Sequence, residues 1–184
     1  MTFTRPSAMT TALVVVDVQE RLLAAYGGDP ALLAKVAAAI GGAVELGLPI
    51  IATEQYPAGL GKTMPEIAAL LPEGAPVVEK TSFSCFGEPA FVAELQKRRV
   101  ETLCLVGIEA HVCMQQTAFD ALAQGYRTLV LADATRSRNP FDRDTALSLM
   151  LHNGIAVTTV ESFLFSLTVT AKNPAFKRIS KLVK

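Results

Sequence analysis

An aspartate, a lysine and a cysteine stand at or just after the ends of three apolar runs. Asp17 lies near the end of ALVVVDV (12–18), Lys80 closes APVVEK (75–80), and Cys113 follows TLCLVGI (102–108) within GIEAHVC. A thiol attacks a carbonyl carbon only as its thiolate. Asp17 is the right type of residue to take the proton. Lys80, as a cation, would favour the thiolate and keep the carboxylate ionised. Cys113 also opens a helix-like stretch, whose positive end lowers a thiol pKa and offers backbone N–H groups to an oxyanion. Together these groups supply every role needed for acyl transfer through a thioester. Each also has a plainer reading, as a core cysteine, a turn-capping aspartate or a solvated lysine. Cys104, inside its apolar run, fits the core reading, and Cys85, in the polar loop EKTSFSCF, fits an exposed bystander.

Whether the three meet depends on the elements that carry them. Six short β-branched runs recur: 12–18, PIIATE (49–54), 75–80, 102–108, RTLVLAD (127–133) and IAVTTVE (155–161). They are continuously apolar, as expected of strands buried on both faces. Helix-patterned stretches lie between them. The first opens at Asp29-Pro30 and stops at Gly47; others are EPAFVAELQKRR, CMQQTAFDALAQG and DRDTALSLMLHNG. The alternation predicts an α/β protein: a three-layer α/β/α Rossmann-like fold with a six-stranded parallel sheet, in a single domain over residues 1–184. In such sheets ligands bind beyond the carboxyl ends of the strands, where Asp17, Lys80 and Cys113 lie. The first strand-to-helix turn, DVQERLLAAYGG, lacks the glycine fingerprint of a dinucleotide site, so no nucleotide cofactor is expected.

Composition narrows the function further. The 184 residues carry seventeen basic and seventeen acidic side chains, so no nucleic-acid footprint is expected. The basic tail KNPAFKRISKLVK reads as a short amphipathic end helix. No apolar run reaches the length of a membrane span, and the N-terminal apolar run lacks a cleavage site, so neither a membrane partner nor a signal peptide is expected. Three cysteines without paired spacing suit a reducing, cytoplasmic setting. A hydrophobic fraction of 51% points to surface buried between copies, in a homo-oligomer.

In order along the chain, LVVVDVQ, EKTSFSCF, GIEAHVCMQQTA, ADATRSR and TTVESFLF resemble the isochorismatase-like cysteine hydrolases, relatives of nicotinamidases and N-carbamoylsarcosine amidases. The resemblance covers nearly the whole chain. It implies a six-stranded parallel sheet, with Asp17 as general base, Lys80 as its lysine partner and Cys113 as nucleophile. It also implies a cis peptide at Ile108–Glu109, aiming the Glu109 N–H, with that of Cys113, at the substrate oxygen. Metal-dependent nicotinamidases carry an aspartate and two histidines after the second strand. Here that segment is TEQYPAGLGKT, without a histidine, so no metal is expected. True isochorismatases lack the nucleophilic cysteine, so the family's name reaction is not expected either.

The expected activity is hydrolysis of a C–N bond in a small amide or ureide. Gln19, Gln55, Tyr56, Phe83, Phe86 and His111 are candidates to touch substrate, each against a structural alternative. For Gln19 that alternative is a strand-end hydrogen bond, for the aromatics core or interface packing, and for His111 a loop-fixing hydrogen bond. Glu54 reads as turn chemistry before Pro57, and Arg136 and Arg138 as partners for Asp133 or a neighbouring subunit. Two other functions compete: a thiol redox protein in which Cys85 resolves an oxidised Cys113, and a catalytically idle interaction module on the same fold.

Overall fold

The computed structural model describes residues 5–25 and 27–184. Six strands form one sheet: β1 (Thr11–Val16), β2 (Ile50–Gln55), β3 (Val77–Lys80), β4 (Thr102–Ile108), β5 (Arg127–Arg136) and β6 (Ala156–Thr158). Every pairing is parallel, and the order is β3-β2-β1-β4-β5-β6. The chain therefore builds outward from β1 in one direction, then from β4 in the other. The reversal opens a crevice between the carboxyl ends of β1 and β4.

Strand periodicity sorts the core into two layers. Leu13 and Val15 of β1, with Cys104, Val106 and Ile108 of β4, face α2 (Pro30–Glu45), α8 (Val160–Thr168) and α9 (Phe176–Leu182). Ala12, Val14 and Val16, with Leu103 and Leu105, face α5 (Pro89–Lys97), α6 (Gln115–Ala123) and α7 (Pro140–His152). This is the three-layer arrangement the alternation predicts. Short helices α1 (Glu20–Ala24), α3 (Pro57–Leu60) and α4 (Pro65–Ala68) complete the helical set. At the start of α2, Asp29 Oδ1 accepts from Leu32 N at 2.8 Å, the cap expected of Asp-Pro. The basic tail forms α9, with Ile179 buried against the core.

Two boundaries differ most from expectation. The run 155–161 yields only three strand residues, because Thr159 caps α8 by accepting from Ser162 N at 3.3 Å. β5 runs on to Arg136, past a register shift opposite Leu105–Gly107. Gly107 sits at φ +123°, where a Cβ would lie 2.0 Å from the Val16 carbonyl oxygen, so only glycine lets β4 pass β1 this closely, one residue before Asp17. Among the described residues no helix is long and apolar enough to cross a membrane.

Candidate active site

Asp17 follows β1 directly, with its N–H on Thr53 O at 3.1 Å and φ at +51°, a left-handed conformation that aspartate and asparagine tolerate better than most residues. The turn drives its side chain into the interior, where it is fully enclosed. Lys80 ends β3, two strands away, and its ammonium reaches back across β2. Nζ lies 2.8 Å from Asp17 Oδ2, and both side chains are 0% exposed. The ammonium also donates to Gln55 Oε1 (2.6 Å), Phe83 O (3.0 Å) and Ser82 O (3.2 Å). Four acceptors surround three protons, so the lysine is fully committed within the protein. Burial works to lower its pKa, but the Asp17 carboxylate and the nearby Cys113 and Cys85 outweigh burial and hold it above the ordinary value.

Cys113 sits in a π-helical turn, Ala110–Met114, between β4 and α6. The turn hangs from Glu109 O, which accepts from both Val112 N and Met114 N at 3.1 Å. The Ile108–Glu109 peptide before it is cis. The thiol is nearly enclosed, 6% exposed. It points to Gln55 Oε1 at 4.0 Å and lies beside the Asp17 carboxylate and the Lys80 ammonium. Here the structure departs from the expected electrostatics. Burial first, and then the Asp17 carboxylate, push the Cys113 pKa up to about 12, although Lys80 pulls the other way. Desolvation thus favours the protonated thiol against the pull of the cation.

Cys85, expected as an exposed bystander, is fully buried in a 3-10 turn, Cys85–Gly87. Its N–H donates to Thr117 Oγ1 of α6 at 3.0 Å, and its thiol points to Thr53 Oγ1 at 3.9 Å. Burial and the Asp17 carboxylate push its pKa up to about 11. Cys104 is an enclosed core residue of β4, pushed well above its ordinary value by burial alone.

A raised thiol pKa means that the fold favours the protonated form. The stabilisation is fully present below the ordinary value of 9.0 and is lost as pH climbs toward about 11 for Cys85 and about 12 for Cys113. Lys80, raised above 10.5, runs in the same sense at still higher pH. Thermal melts are expected to show Tm falling from about pH 9 upward, less steeply in Cys113→Ala. A Tm that stays constant to pH 11 would contradict this.

The remaining candidates divide. Gln55 belongs to the cluster: Oε1 takes Lys80, and Nε2 donates to Thr81 O at 2.9 Å. Gln19 does not face the site. Its Oε1 accepts from Gln55 N at 2.7 Å, and its Nε2 donates to Gln55 O (3.0 Å) and Gly61 O (2.6 Å), a strand-end arrangement. Phe86 packs edge-on to Phe91, centroids 5.3 Å apart, and against Tyr126. His111 Nδ1 meets Ser137 Oγ at 2.9 Å, the loop-fixing bond. Tyr56 and Phe83 keep exposed rings, 56% and 53%. Tyr56 lines a cavity of about 270 Å³ with Pro57, Ala58, Glu79, Lys80, Thr81 and Glu88, at the end of β3; Cys113 is not among its walls. Ile108 is core, and the Glu109 carboxylate accepts from Arg138 N and Nε, each at 3.1 Å. Arg136 pairs with Asp29 at 3.0 Å and Arg138 with Glu109 at 3.1 Å, while Asp133 pairs with Lys35 at 3.4 Å.

At the position of a metal loop, Glu54 is already spent. Its Oε1 accepts from Thr63 N (2.7 Å) and Oγ1 (2.8 Å), and its Oε2 faces Lys62 at 3.0 Å. Burial would raise its pKa, but these donors outweigh burial and hold it low. Among the described residues no three His, Cys, Asp or Glu side chains gather into a metal-sized group. Sequence reasoning gave no role to Thr53, whose hydroxyl donates to Asp17 Oδ1 at 2.7 Å. The available signal was its place at the end of the strand beside Asp17.

The isochorismatase domain model matches residues 11–162. Isochorismatase domain-containing protein 1 of Salmo salar is 41% identical over 177 residues, 95% of this chain. The chain spans 61% of that protein's length. A solved structure named MAR1 ribonuclease, from Caenorhabditis elegans, superposes with a TM-score of 0.93 at 37% identity, covering 98% of this chain and 92% of the other. The YcaC gene product of Escherichia coli, described as an octameric hydrolase of unknown specificity, shares the fold at a TM-score of 0.92 and 23% identity, over 99% and 90% of the two chains.

Proposed function

This chain belongs to the isochorismatase family of hydrolases, and on that premise we propose that it hydrolyses a C–N bond of a small amide or ureide through a thioester on Cys113. One observation carries the reading: a thiol held against a fully enclosed carboxylate–ammonium pair. Asp17 Oδ2 has the Lys80 ion pair but no aligned hydrogen-bond donor, which leaves a lone pair for the thiol proton. Proton transfer to Oδ2 accompanies attack of sulfur on the substrate carbonyl. The N–H groups of Glu109 and Cys113 hold the oxyanion. Collapse breaks the C–N bond, and the leaving nitrogen takes the proton from Asp17. Water then gives a proton to Asp17 as its oxygen attacks the thioester, and sulfur leaves and is reprotonated. Lys80 keeps its proton throughout, as counter-charge to the carboxylate.

Both site thiols are nearly closed to solvent and burial favours their protonated form, which supports hydrolysis over the peroxide-sensing alternative, since that chemistry follows thiolate character and exposure. The cleavage named for the C. elegans neighbour is not carried over. Phosphodiester chemistry calls for cations open to phosphate, and Lys80 is committed to four protein acceptors. A homo-oligomer, of the kind described for the E. coli neighbour, is part of the same proposal.

The test is a panel of small primary amides and ureides, quenched in acid during turnover and mapped by mass spectrometry. The expected result is one acyl adduct, on the peptide carrying Cys113. Turnover without an adduct there, or an adduct on Cys85, would sink the scheme.

A further inference from the structure

We infer that Thr53 is a positioning residue: its hydroxyl occupies Asp17 Oδ1 and so presents Oδ2 to the nucleophile. This rests on the role proposed for Cys113. A carboxylate with two equivalent oxygens can turn either to the thiol. Here Oδ1 takes the Thr53 hydroxyl at 2.7 Å, while Oδ2 faces Lys80 and has no other aligned donor. The oxygens are thereby made unequal, with one anchored and the other free to accept a proton.

The anchor is itself fastened. A Thr53 proton donated to Asp17 leaves its oxygen as an acceptor, and the Cys85 thiol donates to it at 3.9 Å. The Cys85 N–H is in turn held by Thr117 at 3.0 Å, on α6 and one turn beyond Cys113. A buried chain thus runs from the base, through Thr53 and Cys85, to the helix that follows the nucleophile. It also fixes the loop whose carbonyls, Ser82 O and Phe83 O, hold Lys80. In this arrangement Cys85 serves as a neutral donor, with no bond to sulfur made or broken.

Thr53→Val removes the donor at nearly constant volume, and Thr53→Ser keeps it. The probe is p-nitrophenyl acetate, read as the p-nitrophenolate burst that accompanies acylation of Cys113, followed from about pH 4 to pH 8. A carboxylate that has lost a charge-assisted hydrogen bond takes up a proton more readily. The acid limb of the burst rate is therefore expected to move upward by about one pH unit in Thr53→Val and to return in Thr53→Ser. If Thr53→Val does not fold, Thr53→Ala takes its place, with the same ordering against serine. A role in packing alone would reduce the burst without moving the limb, and that result overturns the inference while leaving the Cys113 reading intact. A burst that is absent from the wild type, or that persists in Cys113→Ala, overturns both.

Discussion

Asp17→Asn is expected to lower kcat/KM for any amide the protein hydrolyses by about 10²–10⁴, the usual worth of a positioned general base. Asparagine suits the test because it tolerates the φ of +51° at this position and can still accept from Thr53 through its carbonyl oxygen. Its amide nitrogen would then take the place of Oδ2, facing the Lys80 ammonium donor to donor. No carboxylate would remain to accept the Cys113 proton, so the thiol would have to attack without a positioned base. The loss should fall on kcat, since Asp17 is fully enclosed and adds little to the binding of a neutral amide. Steady-state kinetics on the substrate found by the panel would check this. A variant within threefold of wild type would remove Asp17 from the base role.

Lys80→Met is expected to cost about 3–5 kcal/mol of folding stability, the typical penalty for breaking an enclosed ion pair from one side. Methionine fills most of the space of the lysine stem, so the cost is electrostatic and not a cavity. Asp17 would be left with its charge, no counter-ion and no exposure to bulk solvent. Three further acceptors, Gln55 Oε1, Ser82 O and Phe83 O, would lose their donor at the same time. For a chain of this length the cost converts to a fall in Tm of roughly 6–20 °C. The double variant Asp17→Asn, Lys80→Met should recover much of that loss, because a neutral pair needs no counter-charge. Melts of the two single variants and the double form a thermodynamic cycle. Losses that simply add would mean that the pair is not coupled, despite its 2.8 Å separation.

Much of the fold was legible in the amino-acid order, because parallel strands buried on both faces must be apolar along their whole length. The run 102–108 coincides with β4 residue for residue. The reach of β5 to Arg136 was not legible, since it depends on a register shift opposite β4 and not on local composition. Near the site the same division holds. Asp17, Lys80 and Cys113 stood out because each follows an apolar run, and a parallel sheet gathers the carboxyl ends of its strands at one edge. The family, too, could be read from motifs in order. What Gln19 and Glu54 bind could not be read, since their partners lie in the 55–63 segment, whose path no periodicity describes. Nor could the burial of Cys85, which comes from a short turn folding a polar loop under α6. Sequence by itself determined which chemical groups are present and at which edge of the sheet they stand. Only the tertiary structure decided that burial favours the protonated thiol and that one oxygen of Asp17 is anchored, because desolvation and hydrogen-bond geometry arise from packing among segments distant in the chain.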